Sequence, residues 1–295
     1  MTTTLSILDQ RLIAAIHRGR SAFSRIGRTS ALHQMQSLAL NWQKPRHAAF
    51  ILDGNRRYAV RERLATCRMG HEAGNRRAHE LIELCHRYGI PNLSVYAFSV
   101  ENFKRSASEI IAILDIIGRT MDEMLDPDHI VNRLGVRLCV IGDRSLVPPQ
   151  IRAAIECAEE HTRQHTAMNL FLSVAYDGRD EIVRAVRRCA SRAVSSDSIT
   201  MAEISRSTDL QAHIQGVPRV DLVVRTGGGK RLSSFLMWDA THAEIYFTEV
   251  LWPDFDEYEF LRALSSFASA VQSSQATDFH YWSHRQDAAL SAISR

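Results

Sequence analysis

The sequence predicts an α/β fold, a single domain built on a central parallel sheet flanked by helices. Three observations lead there. Five short, mainly apolar runs lie at 48–52, 93–97, 135–141, 169–174 and 220–224, and continuous apolar strands are the kind buried on both faces. Segments with helical spacing separate them, the alternation that produces parallel sheets. The least ordinary residues sit just after the runs, where sheets of this class bind ligands.

Each element follows in order. After the first run (AAFIL) a helix is expected over 72–88, where Ala78, Leu81, Ile82 and Cys85 share a face. Gly89 and Pro91 end it. After the second run (LSVYA) a helix starts at the capping box Ser106-x-x-Glu109 and carries Ile110, Ile113, Leu114 and Ile117 on one side. Further helices are expected over 148–164, 179–194, 201–214 and 256–272, the third opening with Thr200-x-x-Glu203. No internal repeat interrupts the pattern, and 195–200 is a short serine-rich loop. The domain is placed at 47–272, with a tail over 273–295.

Residues 1–46 differ in character. Leu5, Ile7, Leu8, Leu12, Ile13 and Ile16 recur at helical spacing, followed by Arg18, Arg20, Arg25 and Arg28. This reads as an amphipathic basic helix suited to an anionic membrane surface, or equally to packing on its own domain or fraying.

Composition narrows the class. With 295 residues, 45% hydrophobic and 23% charged, the chain has the profile of a soluble globular protein able to bury a sizeable core. A net charge of +3 is too weak to imply nucleic acid. Five scattered cysteines without C-x-x-C spacing argue against a disulfide framework or a zinc site and point to a reducing, cytoplasmic setting. No apolar run approaches the roughly 18 residues needed to span a bilayer, and the N-terminus lacks the pattern of a secretory signal.

Chemistry concentrates after three strands. Asp53-Gly54-Asn55-Arg56-Arg57 places a carboxylate, a tight turn and two guanidinium groups together, a plausible seat for a metal-bound diphosphate, although D-G-N alone is a common turn. After the second strand come Phe98, Ser99, Asn102, Phe103 and Arg105. After the fifth, Arg225-Thr226-Gly227-Gly228-Gly229-Lys230-Arg231-Leu232-Ser233 lets backbone amides approach an anion, with Arg225, Arg231 and Ser233 adding charge and hydrogen bonds. It is not a Walker A loop, since the first glycine is missing and Arg231 follows the lysine. Asp122-Glu123-Met124-Leu125-Asp126 lacks a partner motif and reads as a solvated helix end. Glu244, alone in an apolar run, is either a second metal ligand or an edge-strand charge. His71, at a helix start, could face a diphosphate or solvent.

Together the motifs are specific. H-x-x-F-I-L-D-G-N-R-R-Y at 47–58, G-H-E-A-G at 70–74, Y-A-F-S-V-E-N-F-K-R at 96–105, R-T-G-G-G-K-R-L-S-x-F-L-x-W at 225–238 and A-E-I-Y-F-T-E-V-L-W-P-D-F at 243–255 stand in register. This resembles the cis-prenyltransferases, the family of undecaprenyl and dehydrodolichyl diphosphate synthases, over roughly 47–265. The resemblance implies a parallel sheet with a hydrophobic tunnel for the growing chain, and Mg²⁺-dependent addition of isopentenyl diphosphate to an allylic diphosphate in Z geometry. It makes Asp53 a Mg²⁺ ligand completed by Glu244. It gives Gly54, Asn55, Arg56, Arg57, His71 and Arg105 to the allylic diphosphate, and Arg225, Arg231 and Ser233 to isopentenyl diphosphate, with Gly228 also binding substrate. Ser99 and Asn102 fall near the reacting centre, Asn102 as a candidate for assisting proton removal, with Phe98 and Phe103 against substrate.

Departures are informative. Arg56 and Tyr58 stand where bacterial members carry glycine and tryptophan, as in the dolichol branch. Cys67 stands where an arginine is expected, with Arg68 beside it. The retained Glu244 and the missing C-terminal R-x-G signature point to a homodimer. Small Ala97 leans towards a medium or long product. Two rival readings are carried: a terpene synthase of the same fold acting on a prenyl diphosphate, favoured by Cys67, and a non-catalytic regulatory subunit, disfavoured by Asp53, Arg57, Arg225 and Arg231.

Overall fold

The structure, a computed structural model, describes residues 25–192 and 195–273. The chain divides into two compact units, Pro45–Asp256 and a second formed by Met1–Lys44 with Glu257–Arg295. In the second, helix α1 (Arg25–Ala39) and a helix over 257–273 are described. Within it Gln36 Nε2 donates to Glu257 Oε1 (3.1 Å) and the Arg28 guanidinium lies 5.0 Å from the Tyr258 ring centroid. The apolar repeat expected between Leu5 and Ile16 lies outside the described residues.

The larger unit holds one six-stranded sheet, all parallel: β1 (Ala48–Ile51), β2 (Asn92–Ser99), β3 (Val136–Ile141), β4 (Met168–Tyr176), β5 (Leu222–Arg225) and β6 (Glu244–Phe247). Their spatial order is β3-β4-β2-β1-β5-β6. The five expected runs are the first five strands. β6 is a short edge strand that opens with Glu244.

Helices α2 (Asn55–Arg61) and α3 (Cys67–Arg87) follow β1, and α4 (Ala107–Glu123) and α5 (Ile130–Arg133) follow β2. Helix α6 (Pro149–Thr162) precedes β4, and α7 (Gly178–Ala190), α8 (Met201–Ser205) and α9 (Asp209–His213) precede β5. Two departures have physical causes. The helix expected over 201–214 breaks at 206–208, where buried Asp209 turns inward to pair with Arg184 (2.5 Å) and Arg188 (2.6 Å) of α7. Helix α2 carries no sequence signal because its N-cap is Gly54, which makes no side-chain cap.

Strand pleating assigns each face a task. On one face Ala49, Ile51, Cys139, Ile141, Phe171 and Val223 form a dry core with Leu210, Phe235 and Leu236. On the other, Leu52, Val95, Ala97, Leu170 and Leu172 meet α3 and α4 around an apolar cavity of about 110 Å³. Under the core face lies Glu181, fully buried, which accepts hydrogen bonds from the Tyr176 hydroxyl and from the Asp209 N–H (3.0 Å). Burial pushes its carboxyl up to about 8. Among the described residues no helix is long and apolar enough to cross a membrane.

Candidate active site

Chain direction places the site. Strands β1 and β5 are neighbours, but from β1 the chain continues to β2 on one side and from β5 to β6 on the other. Such a switch point opens a crevice beyond the carboxyl ends. Asp53 leaves β1 there and Arg225 ends β5, in register with Ile51.

The two loops interlock. Thr226 Oγ1 donates to the Asp53 carbonyl (2.7 Å), and Arg57 Nη1 to the Gly227 carbonyl (2.6 Å). Gly54, at φ +124°, passes so close to Leu251 that a Cβ would come 2.9 Å from its Cα. A Cβ on Gly227, at φ +74°, would lie 2.8 Å from the Asp53 carbonyl oxygen, so backbone contact requires both glycines. The Asp53 carboxylate is held from both sides, by Arg57 Nη2 on Oδ1 and Arg225 Nη2 on Oδ2, each at 3.0 Å. Arg225 is nearly buried. Its Nη1 donates to the Arg231 carbonyl (2.5 Å) and to Ser233 Oγ (2.9 Å), and its Nε has no partner.

Asp53, Arg57, Arg225 and Ser233 line a cleft of about 400 Å³ with Gly54, Asn55, Arg56, His71, Ser99, Asn102, Arg105 and Arg231. Five arginines face two carboxylates, Asp53 and Glu101, so the cleft is built for anions. Asn102 is fixed by a reciprocal cap with Ser99, its Oδ1 accepting the Ser99 N–H at 3.0 Å. Burial is the main force lowering the His71 pKa; the Glu109 carboxylate opposes it, and Arg105 and Arg56 add to it. The cleft adjoins the apolar cavity, for Leu52, Asn55, His71, Ala97 and Ile113 line both.

Four of the expected residues fall elsewhere. Phe98 is fully buried, edge-on to Phe103 at 4.9 Å, so this pair is packing between β2 and the turn after it rather than cleft wall. Gly228, at φ +74°, shapes the turn and does not line the cleft. Glu244 is paired with Leu222, three residues before the Arg225–Phe247 pair. Roughly 10 Å of strand therefore separates it from the level of Arg225, before the further reach to Asp53. Glu244 is also absent from the cleft lining, so its part in a metal site belongs to the proposed function. Cys67 is exposed and outside the cleft lining, while Arg68 is held by Glu72 (3.0 Å) and Asp115 (2.5 Å), so neither supplies the expected cleft cation.

Other residues escaped the sequence reading. Tyr96 lines the cleft, stacks on Phe235 (4.5 Å) and donates to the carbonyls of Ser233 and Tyr176, both at 3.2 Å. Its place three residues before Ser99 on an apolar strand was the available signal. Glu109 receives Arg105, His71 and Arg56, though sequence gave it only a capping task.

Among the described residues no group of three or more His, Cys, Asp or Glu side chains is placed to hold a metal. A fully protein-caged ion therefore does not fit. The Asp53 carboxylate beside an anion site suits Mg²⁺, which keeps waters and takes substrate phosphate oxygens.

Comparison with known proteins identifies the family. Residues 51–274 match the Prenyltransf profile, that of undecaprenyl diphosphate synthases. The chain is 39% identical over 229 residues to an isoprenyl transferase of Thermus thermophilus, covering 76% of this chain and 86% of the relative. It is 39% identical over 224 residues to the tritrans,polycis-undecaprenyl-diphosphate synthase (geranylgeranyl-diphosphate specific) of Pyrococcus horikoshii, covering 76% and 84%. The crystal structure of lavandulyl diphosphate synthase from Lavandula x intermedia, in complex with dimethylallyl diphosphate, superposes with a TM-score of 0.70 at 32% identity, covering 76% of this chain and 95% of that one. With its parallel sheet, its anion cleft and these relatives, the chain belongs to the cis-prenyltransferase family, that of the undecaprenyl diphosphate synthases.

Proposed function

We propose that the chain condenses isopentenyl diphosphate with an allylic diphosphate, farnesyl or similar, to give a Z-polyprenyl diphosphate in a Mg²⁺-dependent reaction. The observation that carries this reading is the junction of an arginine-lined cleft with an apolar cavity, since the substrate joins an anionic head to a hydrocarbon chain. Arg56, Arg57, Arg105 and the turn at Gly54–Asn55 form the flank for the allylic diphosphate. Arg225, Arg231 and Ser233 form the flank for isopentenyl diphosphate, with Asp53 between the two loops.

Ionisation breaks the allylic C–O bond, the isopentenyl double bond forms the new C–C bond, and a proton leaves. Mg²⁺ held by Asp53 would supply charge neutralisation to the departing diphosphate. The arginines hold both anions in fixed positions before reaction, where they act without reorganising. Asn102, locked by its reciprocal cap with Ser99, is the candidate for assisting proton removal, with Ser99 beside it near the reacting centre. The cavity between α3 and α4 takes the hydrocarbon and keeps water from the cation.

Radiolabelled isopentenyl diphosphate incubated with farnesyl diphosphate, with and without Mg²⁺, tests the reading. A Mg²⁺-dependent ladder of Z-polyprenyl products is expected. A single monocyclic or irregular terpene made from the allylic diphosphate alone would overturn it in favour of the terpene-synthase reading, which the absent cation at Cys67 supports. A homodimer and reversible membrane contact through 1–46 belong to the same proposal. Light scattering tests the first, and loss of anionic-vesicle binding on removing residues 1–40 tests the second.

A further inference from the structure

Glu109 was expected to close a capping box, its side chain reaching back to the Ser106 backbone. Only half of that box forms. Ser106 Oγ accepts the Glu109 N–H (3.4 Å), but the Glu109 carboxylate turns the other way. Its Oε1 takes hydrogen bonds from Arg105 Nη1 (2.7 Å) and His71 Nε2 (3.2 Å), and its Oε2 lies 3.7 Å from Arg56 Nη1. The three partners come from three elements: α2, α3 and the turn before α4. All three line the cleft, and Glu109 does not. It stands behind the wall with its side chain 11% exposed.

An anion in that position cannot be displaced by a diphosphate entering from the front. It takes one N–H of Arg105 and leaves the other guanidinium donors free. It also requires the His71 proton to sit on Nε2, because a carboxylate accepts only from an N–H. Without it, Arg56 and Arg105 would repel each other and regain rotamer freedom, which binding would have to remove again.

We propose that Glu109 is a positioning residue for diphosphate binding: from behind the cleft wall it gathers Arg105, His71 and Arg56 into one cationic face and fixes the His71 tautomer. The kinetic part rests on the proposed function, because it assigns this face to the allylic diphosphate. The structural part does not.

Two variants test it, each checked for folding by thermal melting. Ser106 still caps α4 in both, since the cap uses the Glu109 backbone. Glu109→Ala is expected to raise KM for farnesyl diphosphate about tenfold, with KM for isopentenyl diphosphate within about twofold of the parent. Glu109→Gln keeps an acceptor oxygen and is expected to recover most of the loss. Equal rises in both KM values, a fall in kcat alone, or no change in either variant overturns the proposal. Nitrogen-15 shifts of His71 in the substrate-free protein give a reading independent of activity. The Nε2–H tautomer is expected in the parent and Glu109→Gln, and a tautomer mixture in Glu109→Ala. An unchanged tautomer in Glu109→Ala also overturns it. If the parent makes no product from these substrates, the proposed function fails, while the imidazole signal still tests Glu109.

Discussion

At the amino end of the sheet His47 is fully buried with both ring nitrogens engaged, by the Pro218 carbonyl (2.9 Å) and Ser94 Oγ (2.8 Å). Around it Asn169 donates to Asn92 Oδ1 and Asn92 to the Arg46 carbonyl, each at 2.8 Å. At the carboxyl end five arginines face a cavity that holds two carboxylates, and Arg225 Nε is buried without a partner. Polar side chains build architecture at one end and a site at the other. What differs is whether the protein itself completes their hydrogen bonds. Glu244 belongs to the first end by register, and a sequence pattern alone cannot say at which end of a strand a carboxylate falls.

Four predictions probe this contrast, the largest effect first. Asp53→Asn, at the carboxyl end, should lower product formation by on the order of a thousandfold while the fold persists; isopentenyl incorporation and circular dichroism measure the two. Full activity of this variant in an assay reconstituted with a catalytic partner would revive the regulatory-subunit reading. His47→Leu, at the amino end, should do the reverse. It leaves Ser94 Oγ and the Pro218 carbonyl without their partner and should cost roughly 2–4 kcal/mol in denaturant unfolding, with kcat/KM within about twofold of the parent.

The third prediction is a pH dependence of stability. Burial lowers the His47 pKa to about 4. Between about pH 6.5 and 4 the unfolded chain therefore binds the proton first, and stability falls as pH falls, by on the order of 3 kcal/mol. Glu181 acts with the opposite sign. Its raised pKa keeps the folded form protonated, so stability falls as pH rises from about 4.5 towards 8. Unfolding measured across pH should show the acid slope flattened in His47→Leu and the alkaline slope flattened in Glu181→Gln. The smallest effect belongs to Arg46→Ala. Its side chain is 71% exposed in the pair with Asp221, so stability should move by about 0.5 kcal/mol or less.

Much of this was legible in the sequence. Five strands show as apolar runs because both sheet faces are covered, and Asp53, Arg57, Arg225 and Ser233 show because anion chemistry needs a few residue types at strand ends. What stayed hidden depends on direction rather than identity. Glu109 satisfies a helix-cap pattern with its backbone and something else with its side chain. Phe98 and Phe103 lie among cleft residues along the chain but turn towards each other. The segment 233–236 takes positive φ at Ser233, Ser234 and Leu236, a conformation these residue types do not announce.

The pleat of the sheet has one more consequence. Odd-numbered positions 49, 51 and 171 belong to the dry core, while even-numbered 52, 170 and 172 border the cavity. Neighbouring codons thus answer to different selective demands. Substitutions on the cavity side can drift and change its volume while the core side keeps the molecule folded, so descendants of one such gene can diverge in what they accommodate without re-inventing the scaffold.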